Sequence, residues 1–404
     1  MYLKLAWRNV WRNRRRSLIT IASIFFAVLF ANLMQSLQQG MWEKALSTTM
    51  SLSGYIQVQD TAFWDEPILD NGLVVNDSLV DQLQGLPNIS NVTQRIQSGA
   101  LVAHDSLSKF SLLYALVPSD EVHILELDKK LDSGSLISDE DEGILIGAGM
   151  ARYFDIGVGD TLSLIGQGYH GASANGNFPI RGVIRYGTEQ MSSSLVVMPL
   201  KLAQRHMSAP GVVTSLNVYP HNIDKLESTK QALGQVISDD HIRLMTWKEM
   251  MPELVQAFQA DTGGNVIFLM VLYLIIGFGI FGTVLMMTAE RMYEFGVLVS
   301  VGMKRFRLSI ILFLETILLS FLGILAGSLA SFPVMYYYNQ NPIPMTGGAA
   351  ESMKEYGFEA IIQGSISPDI FIADAGVVLL IVFLVNIYPA IVISKLNPVK
   401  AMRK

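Results

Sequence analysis

Glu290, Arg291 and Glu294, followed by Gly296 and Gly302, fall within AERMYEFGVLVSVGMKR (Ala289–Arg305), a charged, glycine-punctuated stretch between two long apolar runs. Two carboxylates four residues apart project from one face of a helix, and Phe295, Leu298, Val299 and Met303 offer an apolar surface beside them. The two glycines permit a turn and a close backbone approach. Such a set of side chains makes and breaks no bonds. It recognises, because an apolar patch in water implies a partner or burial among headgroups.

Other chemistries find little in this chain. The six histidines, at 104, 123, 170, 206, 221 and 241, are scattered, and none forms H-x-x-x-H or H-E-x-x-H, so no metal site is expected. The absence of cysteine excludes a disulfide scaffold, an iron–sulfur cluster or thiolate-ligated zinc. Neither G-x-x-x-x-G-K-[ST] nor G-x-S-x-G occurs, which argues against a phosphate loop and a serine-hydrolase elbow. The chain is expected to be no enzyme and to hold no cofactor of its own.

The elements that must carry the docking stretch are membrane spans. Of 404 residues, 50% are hydrophobic and 16% charged, with a mean hydropathy of +0.37, beyond the range of an ordinary soluble domain. About 20 helical residues cross a hydrocarbon core of about 30 Å, and four segments qualify: 18–38, 266–288, 308–336 and 371–394. Lys4, Arg8, Arg12, Arg14, Arg15 and Arg16 precede the first without an acid; Lys395, Lys400, Arg403 and Lys404 follow the last. The connection 289–307 adds Arg291, Lys304, Arg305 and Arg307, whereas the connection 337–370 carries Glu351, Glu355, Glu359 and Asp369 against Lys354 alone. The positive-inside rule then puts both termini and 289–307 in the cytoplasm and residues 39–265 outside. Residues 40–265 hold 14 Lys/Arg against 27 Asp/Glu, a net of −13, so the total of −6 hides basic inner edges suited to anionic lipid and gives no reason to expect nucleic-acid binding. The expected fold is a membrane protein of four transmembrane α-helices with a large mixed α/β extracytoplasmic domain inserted between helices one and two.

Within residues 1–17, Leu3, Trp7, Val10 and Trp11 recur at helical spacing away from Lys4, Arg8, Arg12 and Arg15, the pattern of an interfacial amphipathic helix with its tryptophans toward the acyl boundary. Residues 395–404 form a short basic tail. In the outer domain, 54–59 and 194–200 read as strands, and 77–86, 200–207 and 222–237 as helices. Gly143–Gly166 reads as strand, short helix, Gly159–Asp160 turn and strand, and Gly166–Asn177 has the composition of a mobile hairpin tip. In the third span, Gly323, Gly327 and Ser331 recur every four residues and mark a helix-packing face whose partner the spacing leaves open. Glu315 lies eight residues beyond Arg307, about 12 Å into that span, where an ionised carboxylate costs a few kcal/mol unless it is neutral, paired or wet. Asp374, near the outer mouth of span four, is expected to snorkel into the interface.

These segments resemble a known family. ERMYEFGVLVSVGMKRFRLSIILFLETILLSFLGILAG is similar to the coupling segment and third span of the FtsX/MacB-like ABC permeases, which include the LolC/LolE lipoprotein-releasing subunits. NIYPAIVISKLNPVKAMRK is similar to their closing segment, LKLAWRNVWRNRRRSLIT to their basic start, and GAGMARYFDIGVGDTLSL to a motif of their MacB-like outer domain. The resemblance implies a dimerised permease subunit of the bacterial inner membrane, paired with a second copy or a homologous permease. It also implies a separate cytoplasmic ABC ATPase that holds the ATP and magnesium, and a mechanotransmission stroke delivered outside. It implies coupling roles for Glu290, Arg291, Glu294, Gly296 and Gly302. Lipoprotein release is the leading cargo reading; export of drugs or peptides, and FtsX-like activation of a cell-wall hydrolase with nothing transported, remain open. The lipoprotein branch carries a proline-containing hook that recruits a periplasmic chaperone, whereas Gly166–Phe178 here has no proline before Pro179.

Overall fold

The structure, a computed structural model, describes residues 2–12, 14–186, 189–237, 239, 241–355, 359–398 and 401. The tail residues Lys400, Arg403 and Lys404 lie outside the described residues. Among the described residues four helices are long and apolar enough to cross a membrane: Arg14–Ser53, Pro252–Glu290, Arg305–Gln340 and Pro368–Ser394. The apolar stretches of the sequence are parts of longer helices. The first continues through Gln38–Ser53, because polar residues such as Gln39, Glu43 and Lys44 favour helix as well as leucine does once they leave lipid. The fourth breaks at Asn386 between Pro368–Val385 and Ile387–Ser394. Pro389 has no N–H to give the Val385 carbonyl, and the Val382 carbonyl accepts both the backbone N–H and the side-chain amide of Asn386, at 3.1 and 2.8 Å.

The chain divides into two compact units. One comprises residues 1–44, 257–345 and 361–404. Its core joins Ile24 and Val28 of the first span, Ile276, Ile280 and Val284 of the second, Ile324 of the third and Val378 and Val382 of the fourth. Span three is the most buried of the four and span two the least, so the third is the post against which the others pack.

The packing face of span three meets the first span of the same chain. A Cβ at Gly323 would stand 2.7 Å from Ile24 Cβ, and one at Gly327 would stand 2.9 Å from the Phe25 carbonyl oxygen. One turn further, the Asn32 amide donates to Ser331 Oγ at 3.0 Å. Small residues let the two backbones approach, and dispersion and the hydrogen bond take over where no hydrophobic gain exists between helices in lipid.

The other unit comprises residues 45–256 and 346–360. It is built on a ten-stranded mixed sheet. The order is Ile242–Thr246, Ile56–Asp60, Ser215–Pro220, Ile89–His104, Leu107–Leu116, Leu195–Pro199, Ile144–Gly147, Ser173–Ile184 and Leu131–Gly134, with Thr161–Gln167 pairing both Ile89–His104 and Ser173–Ile184. Among the described residues two pairings are parallel, Leu107–Leu116 with Leu195–Pro199 and Ile144–Gly147 with Ser173–Ile184. Helices Asp77–Gln84, Ala148–Phe154, Leu200–His206 and Leu226–Val236 cover it, and Ile56, Ile96, Ile146, Val196 and Leu216 fill the core between.

Gly166–Asn177 departs from the expected mobile tip. Strand pairing runs on through Gly166↔Ala174 and Ser163↔Asn177. What remains is a tight turn at Tyr169–Gly171, tied by the Tyr169 N–H to the Met207 carbonyl at 2.8 Å. Elsewhere in this unit, Tyr219 donates to the Ser51 carbonyl at 2.9 Å, and Ser51 Oγ lies 2.9 Å from Tyr186 Oη. The last turn of the first long helix is thus part of this domain.

Gly327→Leu tests the close approach of spans one and three. Forcing a side chain into that contact is expected to cost about 1–3 kcal/mol, read as a lowered unfolding midpoint in detergent, whereas Gly279→Leu, where a Cβ meets nothing within 4 Å, is expected to leave it unchanged.

Candidate functional site

The connection between spans two and three is a helix of its own, Met292–Ser300, set off from span two by Arg291 (φ −95°, ψ 7°). It ends at Gly302, whose φ of +104° is a left-handed conformation that disfavours any residue with a Cβ. The Gly302 N–H donates to the Val299 carbonyl and the Met303 N–H to the Leu298 carbonyl, 3.0 and 2.9 Å respectively. That pair of bonds satisfies the carbonyls a helix end leaves open. A Cβ on Gly302 would meet nothing within 4 Å, so the turn demands glycine by conformation and not by space. Gly296 lies buried within the helix, and Ser300 Oγ donates to its carbonyl at 2.9 Å.

Charge ties this helix inward. Arg291 Nη1 donates to Glu315 Oε2 at 2.6 Å, with the two side chains 15% and 4% exposed. Glu315 is therefore paired with the arginine at the end of span two, one of the three solutions open to an acid at that depth. Arg291 also reaches Glu294 at 3.4 Å. The guanidinium lies over the Phe295 ring, 5.4 Å from its centroid, a contact that stabilises a cation. Glu294 in turn accepts both hydrogen bonds of a fork from Arg12 Nη2, each at 2.9 Å. Arg16 pairs with Glu290. The result is a chain of alternating charge, Arg12–Glu294–Arg291–Glu315, leading from the N-terminal helix Tyr2–Arg12 into span three.

These contacts order the carboxylates. The Arg12 hydrogen bonds, with the charges of Arg12 and Arg291, hold Glu294 below the ordinary glutamate range although partial burial pushes the other way. An acid with a depressed pKa contributes stability at pH above its unfolded value and loses it only as the pH falls through the depressed one. The Arg12–Glu294 contact is accordingly complete at neutral pH.

The apolar side of the helix is divided. Phe295 is 3% exposed and packs with Val10, Met287, Leu308 and Leu312, with Val299 and Met303 at its margin. This corrects the expectation of one exposed patch containing Phe295, Val299 and Met303: three of its members secure the helix to the bundle. The surface left open is Tyr293, Leu298, Val301 and Phe306, with Val301 and Phe306 83% and 75% exposed. The N-terminal helix divides in the same way. Val10 and Ala6 are buried, whereas Leu3, Trp7 and Trp11 stay exposed, so Val10 belongs to the protein core and not to the lipid-facing stripe.

Arg291, Glu294 and Glu315 thus come together and Glu290 pairs separately with Arg16, with Gly296 and Gly302 shaping the helix, while Gly323, Gly327 and Ser331 serve the seam with span one. Two features escape the sequence reading. Arg12 and Arg16 register there only as a basic flank, although they pair with Glu294 and Glu290. Asp374 does not snorkel: it is 1% exposed, and its Oδ1 accepts hydrogen bonds from Gln35 of span one and Tyr273 of span two. Gln35 and Tyr273, polar groups inside apolar runs, were the available signal. Among the described residues no group of three or more His, Asp or Glu could hold a metal ion.

Comparison with known families matches residues 17–236 to the MacB-like periplasmic core domain and residues 266–398 to the FtsX-like permease C-terminal model. No curated protein matches the chain. Three solved structures are similar to parts of it. The extracellular domain of the noncanonic ABC-type transporter YknZ from Gram-positive bacteria is 12% identical over 47% of this chain and 99% of that one, with a TM-score of 0.35. The periplasmic region of MacB from Actinobacillus actinomycetemcomitans is 13% identical over 53% and 98%, with a TM-score of 0.37. A domain of a putative permease protein from Porphyromonas gingivalis is 12% identical over 47% and 85%, with a TM-score of 0.29.

The ion-pair chain makes two graded predictions. Removing one partner of the buried pair, as Glu315→Leu or Arg291→Met, is expected to cost about 3–5 kcal/mol, and the double substitution to recover most of it because no orphaned charge remains; unfolding midpoints in detergent give both numbers. The more exposed fork is worth at most about 1 kcal/mol. Arg12→Glu is therefore expected to leave the fold intact while loosening the helix, and Arg12→Glu with Glu294→Arg to restore it, as read by the mobility of a spin label at position 298. In the native chain the same label is expected to stay immobile from neutral pH down to the ordinary glutamate value of about 4.3.

Proposed function

Because the chain belongs to the ABC-transporter permease family that joins an FtsX-like permease to a MacB-like periplasmic core domain, we propose that it is the non-catalytic membrane subunit of a mechanotransmission machine. A separate cytoplasmic ABC ATPase binds and hydrolyses the ATP, with its magnesium. The connection Met292–Ser300 lies in the cytoplasm with both termini, the chain pairs with a second permease in the bacterial inner membrane, and the large domain works outside.

The observation that carries this reading is the division of labour in the connecting helix. Its inner face is fixed to spans two and three by Phe295 and by the Arg291–Glu315 pair, while Leu298, Val301 and Phe306 stand open around the Gly302 turn. A helix attached so firmly on one side and so apolar on the other is built to be pushed. A partner that grips the open side moves Arg291, and with it Glu315 on the most buried span. The outward path is the first long helix, which is seamed to span three along Gly323 and Gly327 and runs unbroken to Ser53.

The cargo supported best is an amphiphile taken from the outer side of the membrane, with lipoprotein release the leading case. An apolar groove between spans two and four, open at the side of the bundle and with Asp374 in its wall, favours a membrane-derived cargo over a water-soluble one.

Val301→Asp with Phe306→Ser is the direct test, since both side chains face away from the core. Membrane insertion and unfolding midpoint are expected to stay unchanged while co-purification with an ATPase subunit falls at least tenfold. Undiminished capture and stimulation of the ATPase by the double variant overturns the assignment.

A further inference from the structure

We propose that the groove between spans two and four is a binding subsite for a single-chain amphiphile with an ammonium head, the cation resting on Asp374 and the alkyl chain lying along the groove. This deepens the amphiphile reading above and rests on it.

The groove has a volume of about 760 Å³, within the usual range for small-molecule sites. Met270, Tyr273 and Phe278 line it from span two, and Asp374, Val377 and Ile381 from span four. From Asp374 to Val385 it follows eleven residues of helix, about 16 Å, room for an extended alkyl chain of medium length. Gly277 lies midway, where an added Cβ would already touch Ile381 at 3.5 Å, and its missing side chain keeps the passage open.

The carboxylate in its wall is what distinguishes this groove from a lipid-facing crevice. Asp374 is 1% exposed and six residues, about 9 Å, into its span. Oδ1 is fully engaged by the Gln35 amide and the Tyr273 hydroxyl, whereas Oδ2 is buried with no hydrogen-bond partner among the described residues. Gln35 and Tyr273 are neutral donors, and among the described residues no lysine or arginine lines the groove. A carboxylate at that depth is costly unless a cation meets it. An ammonium supplies the charge and donates to Oδ2 at once, and the attached chain covers apolar wall that water leaves exposed. An anionic head meets repulsion at the same place, and a neutral one lacks the ion pair.

The test uses the full chain purified alone in phosphatidylcholine nanodiscs, so that its outcome is independent of ATPase docking. A photoreactive dodecylamine is competed with dodecylamine, dodecanol or dodecanoate, and the crosslinked residues are read by mass spectrometry. Labels are expected on spans two and four beside Gly277, with dodecylamine competing at least tenfold better than dodecanol, and dodecanoate not at all. Asp374→Asn is expected to abolish the preference for amine over alcohol. Gly277→Leu, which leaves Asp374 untouched and serves if the first variant fails to fold, is expected to weaken both competitors. Equal competition by amine and alcohol, an unchanged preference in Asp374→Asn, or labels on another face or a second copy of the chain would each overturn the proposal.

Discussion

The pairing of Arg291 with Glu315 is the constraint on which the rest of the inner bundle depends. An arginine that closes span two and an acid buried in span three are each unaffordable alone at low dielectric, and together they fix the angle at which the chain turns between the two spans. The turn then dictates where the helix Met292–Ser300 begins and which side chains point inward. Phe295 follows from it, because the guanidinium that reaches Glu315 also covers its ring.

Around that buried pair the remaining charges are graded by exposure. Glu294 and Arg12 are about half exposed, so their fork stabilises little by itself, yet it decides where the N-terminal helix lies. With Val10 plugged into the same core as Phe295, the amphipathic helix becomes part of the connection. Under the proposed function, a push on the connecting helix meets a stiff inner edge and a looser outer one, which directs displacement toward span three. The glycine seam then hands it to span one, where Gly323 and Gly327 meet Ile24 and the Phe25 carbonyl at close range.

Much of this was legible in the sequence, and the misses share a cause. Four apolar runs, the acids at 290 and 294 and the small residues at 323, 327 and 331 are local patterns. Helical periodicity alone puts each on a face, and the strand and helix segments of the outer domain follow in the same way. Which face meets which partner is a long-range fact. Nothing local says that Arg12 reaches Glu294 across 282 residues, that Val10 is core while Trp7 and Trp11 are not, or that Gln35 and Tyr273 converge on Asp374. The long hairpin of Ile89–His104 and Leu107–Leu116 escaped for a different reason. It turns at Asp105, with φ of 50°, without the glycine that usually marks such a turn.

The buried Arg291–Glu315 pair holds the connecting helix rigidly to the bundle. Because the chain has no cysteine, a single spin-label pair at Arg8 and Leu298, both exposed, reports the distance between the N-terminal and connecting helices by electron–electron resonance in nanodiscs. A narrow distribution in the native chain that broadens in Glu315→Gln is the expected result. An equally narrow distribution in both would contradict it, since the helix would then be held by something other than the Arg291–Glu315 pair.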